Sequence, residues 1–136
     1  MPAPTRVAGP AVSGGRPTAV GLPRAAPHYG VGVRIGFLGG TGPAGRALAA
    51  RLATVGFDVV VGSRSKYRAM EVVDTLLEQW PDRRLTIGAG DNAAAAETDV
   101  VVIATPWDGA TQTAVSVEDK LRGKIVISMA NALTKL

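Results

Sequence analysis

The sequence predicts an α/β fold, a doubly wound parallel sheet of about five strands preceded by a disordered N-terminal tail. Two observations predict it. Short runs rich in Val and Ile recur without polar alternation, as strands buried on both faces require. Segments with helical spacing separate them, and strand–helix alternation with right-handed crossovers builds a parallel sheet. At 136 residues the chain holds one domain, placed at 33–136 and read as incomplete at its C-terminus.

The tail, 1–32, carries six prolines and six glycines and no hydrophobic periodicity. It buries too little to offset its ordering entropy, so it reads as disordered. A translation start further in is an alternative reading of the same stretch. It has no continuous apolar core of a secretory signal, and its prolines break the amphipathic helix of a transit peptide. With no apolar run long enough for a membrane span, the expected location is cytoplasmic.

From Val33 the texture changes. Val33–Leu38 reads as the first strand, and Gly39-Gly40-Thr41-Gly42-Pro43-Ala44-Gly45 as a turn opening a helix. Leu48, Leu52 and Val55 are its expected inward stripe, with Ala44 and Ala47 on the neighbouring face and Gly56 as its C-terminal glycine. Phe57–Val61 is the second strand. Ser63 or Ser65 caps the next helix, whose expected stripe is Ala69, Val73, Leu76 and Trp80, with Trp80-Pro81 as its stop. Leu85–Ile87 reads as a short third strand, 91–97 as a helical turn, and 99–104 as the fourth strand. A helix from about Trp107 to Leu121, broken near Val117, leads to a fifth strand at Lys124–Ser128.

Composition removes several chemistries. The chain has no cysteine, which excludes disulfides, thiolate metal sites and a cysteine nucleophile. Its one histidine, His28, lies in the tail, so a Ser-His-Asp triad and a multi-histidine metal site are excluded too. No metal is expected. The net charge of +4 is concentrated in Arg6, Arg16 and Arg24, where no acid accompanies them. Beyond the tail, bases and acids nearly balance, which argues against a nucleic-acid partner.

Gly40-x-Gly42-x-x-Gly45 stands directly after a strand and opens a helix, the setting of a Rossmann-type dinucleotide fingerprint. Bare glycines let a pyrophosphate approach backbone amides at the positive end of the helix dipole, and Gly45 lets helix and strand pack closely. A Gly-rich turn that merely reverses the chain is the competing reading. After the second strand an NAD-selective site carries Asp or Glu for the ribose 2′-hydroxyl. Here the chain reads Gly62-Ser63-Arg64-Ser65-Lys66-Tyr67-Arg68, and Asp58 comes too early. A hydroxyl and a guanidinium suit a 2′-phosphate, with Lys66 or Arg68 as a further cation, so NADP is preferred. At the end of the fourth strand, Thr105-Pro106-Trp107 sits where open α/β sheets bind ligands, and the indole can wall a flat ring or simply pack.

Together, Ile35 to Gly45, Val59-Val60-Val61-Gly62-Ser63-Arg64, Thr105-Pro106-Trp107 and Gly123 to Ile127 resemble the NADPH-dependent F420 reductases, also called F420:NADP oxidoreductases. The resemblance runs from about Val33 to the C-terminus. It implies an oxidoreductase that passes hydride between NADP(H) and the deazaflavin coenzyme F420, its partners being small-molecule cofactors. It implies that Thr41, Gly42, Pro43 and Ala44 lie along the pyrophosphate, beside the fingerprint glycines Gly40 and Gly45, and that Ser63 and Arg64 hold the 2′-phosphate, Arg68 matching a position where the family can use lysine. Thr105, Pro106 and Trp107 then border the nicotinamide and the facing deazaflavin. No side chain is expected to act as catalytic acid or base, because hydride passes directly between stacked rings. The family continues past the fifth strand, so this chain is expected to be truncated, and a homodimer is one assembly open to it. Two alternatives are a non-catalytic NADP-binding module and the N-terminal NADP-binding domain of a pyrroline-5-carboxylate reductase-like enzyme.

Overall fold

The computed structural model describes residues 32–134, so the expected tail, Gly32 apart, lies outside the described residues. Strands β1 (Arg34–Leu38), β2 (Asp58–Ser63), β3 (Ile87–Asp91), β4 (Val100–Ile103) and β5 (Ile125–Ser128) form one sheet. Their order is β3-β2-β1-β4-β5 and every neighbouring pair is parallel. Between them run α1 (Pro43–Thr54), α2 (Lys66–Gln79), α3 (Asn92–Ala95), α4 (Trp107–Val115) and α5 (Glu118–Leu121). The chain winds outward from β1 to β3, then returns to the other side of β1 for β4. That reversal parts the connections above β1 and β4 and opens a crevice at their carboxyl ends.

Side-chain parity builds two cores. Ile35, Phe37, Val59, Val61 and Val102 pack on one face with Ala49, Ala53, Val72 and Leu76 of α1 and α2. The intervening Leu38, Val60, Val101 and Ile103 pack on the other with Ala95, Ala96 and Val117. Phe37, Leu38, Val59, Val61 and Val101 are fully buried, each contributing about 1.5–3 kcal/mol of transfer free energy. On the second face α3 lies almost against β1: a Cβ on Gly36 would run into the Ala95 carbonyl oxygen.

Four expectations about local structure are corrected. The face that α1 buries is Gly45, Ala49, Ala50 and Ala53, while Ala44, Ala47 and Val55 are exposed and Leu48 and Leu52 only flank the core. The helix packs too close at Gly45 for the larger residues to face the sheet. In α2, Val72 joins Ala69, Val73 and Leu76, and Trp80 is instead the half-exposed C-cap residue. The third strand is Ile87–Asp91 instead of 85–87, because its register against Val59–Ser63 is carried by glycines and alanine that neighbouring helices overlie. The helical turn near 91–97 shortens to α3, whose N-cap is Asp91.

β5 is the outermost strand on its side, and Ile125, Val126 and Ile127 are exposed at 64%, 41% and 50%. Among the described residues no helix is long and apolar enough to cross a membrane. Nor, among them, does any group of His, Cys, Asp and Glu side chains suit a metal ion.

Candidate functional site

The crevice above β1 and β4 is organised by the turn that follows β1. Gly39 has φ +66°, the left-handed region that glycine adopts without strain, and its N–H donates to Asn92 Oδ1 at 3.0 Å. The Gly40 N–H donates to the Gly62 carbonyl at 2.8 Å, and the Ala104 N–H to the Leu38 carbonyl at 2.9 Å. The turn is thereby tied to the ends of β2 and β4 and the start of α3. Gly40 and Gly45 are buried beneath it. Gly42 is different: a Cβ there would meet nothing within 4 Å.

Gly42 is also the N-cap of α1, Pro43 follows it, and no side chain caps the helix. There is no acidic residue in the first turn. The first-turn amides therefore lack a side-chain acceptor, and the positive end of a twelve-residue helix dipole faces the open side of the turn.

At the end of β2, Ser63 is buried and its Oγ accepts from the Ser65 N–H at 3.2 Å. Ser65, not Ser63, caps α2, accepting from the Arg68 N–H at 3.3 Å. Arg64 is exposed and has no ion pair among the described residues. Asp58 lies at the opposite end of the strand, 3.4 Å from Arg34. Asp91, in register with Ser63, turns its Oδ1 to the Ala94 N–H at 2.8 Å and caps α3.

These segments enclose a cleft of about 250 Å³. It brings together Thr41, Gly42, Ser63, Arg64, Thr105 and Pro106, all read as candidates in the sequence. The Thr105 hydroxyl is buried there without a hydrogen-bond partner. Such a group costs about 1–3 kcal/mol until something completes it. Gly40 and Gly45 support the cleft from below. Pro43 and Ala44 lie exposed on the first turn of α1. Arg68 stands outside the lining and pairs at 3.8 Å with Glu71. Trp107 is 58% exposed and lines a neighbouring open hollow of about 380 Å³ with Asp108 and residues 131–134.

Asn92 and Thr113 also line the cleft and were not singled out in the sequence. The Asp91-Asn92 pair signals a helix start, but no local pattern reveals a partner 53 residues away. Thr113 is one of several small polar residues of α4 and carries no signal of its own.

Sheet order, the glycine turn opening α1 and the cleft at the point of reversal define a Rossmann-type α/β protein. Residues 34–132 match the family described as NADP oxidoreductase, coenzyme F420-dependent, and the chain belongs to that family. It is 35% identical over 96 residues to the F420-dependent NADP reductase of Methanothermobacter thermautotrophicus, covering 70% of this chain and 41% of that protein. It is 36% identical over 100 residues to that of Methanocaldococcus jannaschii, covering 71% and 44%. The chain thus spans less than half the length of these relatives. A crystal structure assigned as an F420-dependent NADP-reductase from Arthrobacter sp. FB24 superposes with a TM-score of 0.62 at 28% identity, covering 74% of this chain and 46% of that one.

Proposed function

We propose that this chain binds NADP(H) in the cleft between β1, β2 and β4 and serves hydride transfer between NADP(H) and the deazaflavin coenzyme F420. The observation that carries the reading is the pairing of a bare, uncapped α1 N-terminus at Gly42 with Ser63 and the unpaired Arg64 in one cleft. Amides of the first turn, beside Thr41 and Pro43, would receive the pyrophosphate, which the open space over Gly42 admits. The Ser63 hydroxyl proton and the Arg64 fork would take the 2′-phosphate, with Arg68 a turn further on as an outer cation. Asp58 is paired with Arg34 at the far end of the strand, and Asp91 is turned to the Ala94 N–H as the cap of α3.

Thr105 offers its partnerless hydroxyl at the floor of the cleft, where an amide or phosphate oxygen would satisfy it. Pro106 lines the cleft and Trp107 the adjoining hollow, where the exposed indole suits a flat ring system. Bound together, the nicotinamide and the deazaflavin supply the hydride donor and acceptor. The chain would contribute position, and the proton that balances hydride addition to the deazaflavin would come from solvent. The names of the relatives support the activity.

The test is to mix the chain with NADPH and oxidised F420 and follow the deazaflavin absorbance, alongside calorimetric titration with NADP. Micromolar NADP binding with absorbance loss is the expected result. Binding without turnover favours the non-catalytic module, and absence of binding overturns the reading.

A further inference from the structure

Asn92 occupies a position that neither the fingerprint nor the basic Ser63-Arg64 pair accounts for. It is the first residue of α3, held there by the Asp91 cap on the Ala94 N–H, and its side chain reaches back to accept from the Gly39 N–H at 3.0 Å. On the way it passes over Gly62: a Cβ on that glycine would stand 3.1 Å from Asn92 Oδ1. The residue immediately before the Ser63-Arg64 pair is therefore bare where the asparagine crosses. Asn92 is only partly buried and lines the same cleft as Ser63 and Arg64. Its Oδ1 is committed to Gly39. Among the described residues its Nδ2 has no acceptor, so two N–H donors are left for whatever enters the cleft.

We propose that Asn92 is a specificity-determining residue, its Nδ2 donating to the 2′-phosphate of NADP while its Oδ1 fixes the glycine turn. The inference rests on the reading of the cleft as an NADP site. One side chain then couples the part of the site that receives the pyrophosphate to the part that distinguishes NADP from NAD. An amide suits this double duty, since it presents an acceptor and two donors on one rigid plane, whereas an ionised carboxylate offers acceptors only.

The test measures dissociation constants for NADP and NAD on the full chain, for Asn92→Ala, Asn92→Asp and Arg64→Ala. If Asn92 only anchored Gly39, Asn92→Ala would weaken both dinucleotides equally, because both need the turn. The proposal expects the NAD-to-NADP ratio of dissociation constants to fall at least fivefold in Asn92→Ala. In Asn92→Asp, which keeps the acceptor for Gly39 and so preserves the fold, NAD affinity should stay within twofold. The ratio should fall at least tenfold there, and still fall when high salt screens distant charge. A ratio unchanged within twofold in both Asn92 variants, with Arg64→Ala collapsing it, overturns the proposal and leaves the NADP reading standing. A ratio insensitive to Arg64→Ala as well, or no NADP binding by the unaltered chain, overturns both.

Discussion

Gly45 lies so close under Gly40 that a methyl group on it would stand 2.9 Å from both the Cα and the carbonyl oxygen of Gly40. The contact sets how near α1 approaches β1, and with it the height of the turn above the sheet. In a helix interior, Gly→Ala ordinarily gains about 1 kcal/mol. Gly45→Ala should reverse that sign, costing about 1–3 kcal/mol as the helix is pushed off a backbone that has no room to yield. A lower melting temperature together with weaker NADP binding is the expected result. A raised melting temperature would refute the role of this contact.

Gly36 and Gly42 should separate folding from binding. A Cβ on Gly36 would enter the Ala95 carbonyl and stand 2.6 Å from Thr98 Oγ1, so Gly36→Ala should abolish cooperative unfolding. Gly42 has φ −75° and open space around it, so Gly42→Ala should cost no more than about 1 kcal/mol, the preference of an N-cap for glycine over alanine. Its methyl group would occupy the space over the α1 amides, and NADP affinity should drop about tenfold or more, roughly 1.4 kcal/mol. Circular dichroism melts and NADP titrations on both variants decide the matter. Normal NADP affinity in Gly42→Ala would place the dinucleotide elsewhere.

Arg64→Ala should cost about 1.5–3 kcal/mol of NADP affinity, while NAD, which has no 2′-phosphate, should hardly change. Arg64→Lys should fall between, since it restores charge without the two-pronged fork. Equal losses for the two dinucleotides in calorimetric titration would show that Arg64 supports the pyrophosphate or the fold instead.

A pH-dependent contribution comes from Glu97 and Lys120, whose Oε2 and Nζ are 2.6 Å apart. Lys120 holds the Glu97 carboxyl below its ordinary 4.5 through this hydrogen bond and its charge, and Glu97 raises Lys120 above 10.5 in return. A depressed carboxyl stabilises the fold above its unfolded value and loses that contribution as pH falls through the folded one. A raised lysine keeps its contribution below its unfolded value and loses it as pH rises through the folded one. Lys120→Met should therefore melt earlier than the unaltered chain at neutral pH, with the gap closing in acid and in strong alkali and shrinking with salt. A gap undiminished at about pH 2 would assign the effect to packing of the lysine stem.

The outer edge of β5 should promote association. Ile125, Val126 and Ile127 are exposed and no charge interrupts the strand. Ile127→Lys should suppress concentration-dependent light scattering while changing stability by no more than about 0.5 kcal/mol. Scattering that persists unchanged would locate the sticky surface elsewhere.

The sheet was legible because Val-Val-Val and Ile-Val-Ile runs leave little choice but a strand, although β5, unlike the runs in β2 and β4, proves exposed, and the glycine fingerprint carries its own geometry. Which face of α1 turns inward was not legible. Leu48, Leu52 and Val55 form the more hydrophobic stripe, but close approach at Gly45 selects Ala49, Ala50 and Ala53. The extent of β3 was hidden for a similar reason: Gly88, Ala89 and Gly90 have low strand propensity, and neighbouring packing places them there. Ser63 and Arg64 could be read because local chemistry marks them. Asn92 could not, since its meaning depends on a tertiary hydrogen bond.

The ties that hold the glycine turn, from Gly39 to Asn92, from Gly40 to Gly62 and from Leu38 to Ala104, all join distant parts of the chain. A chain growing from the ribosome has made the whole fingerprint by Gly45, yet it lacks two of the anchors until Asn92 and Ala104 have been synthesised. Completion of the turn is therefore a late event in the life of the nascent polypeptide. In the finished protein, the Gly40 amide should exchange its hydrogen only when the sheet itself opens, so its protection reports the stability of the entire fold.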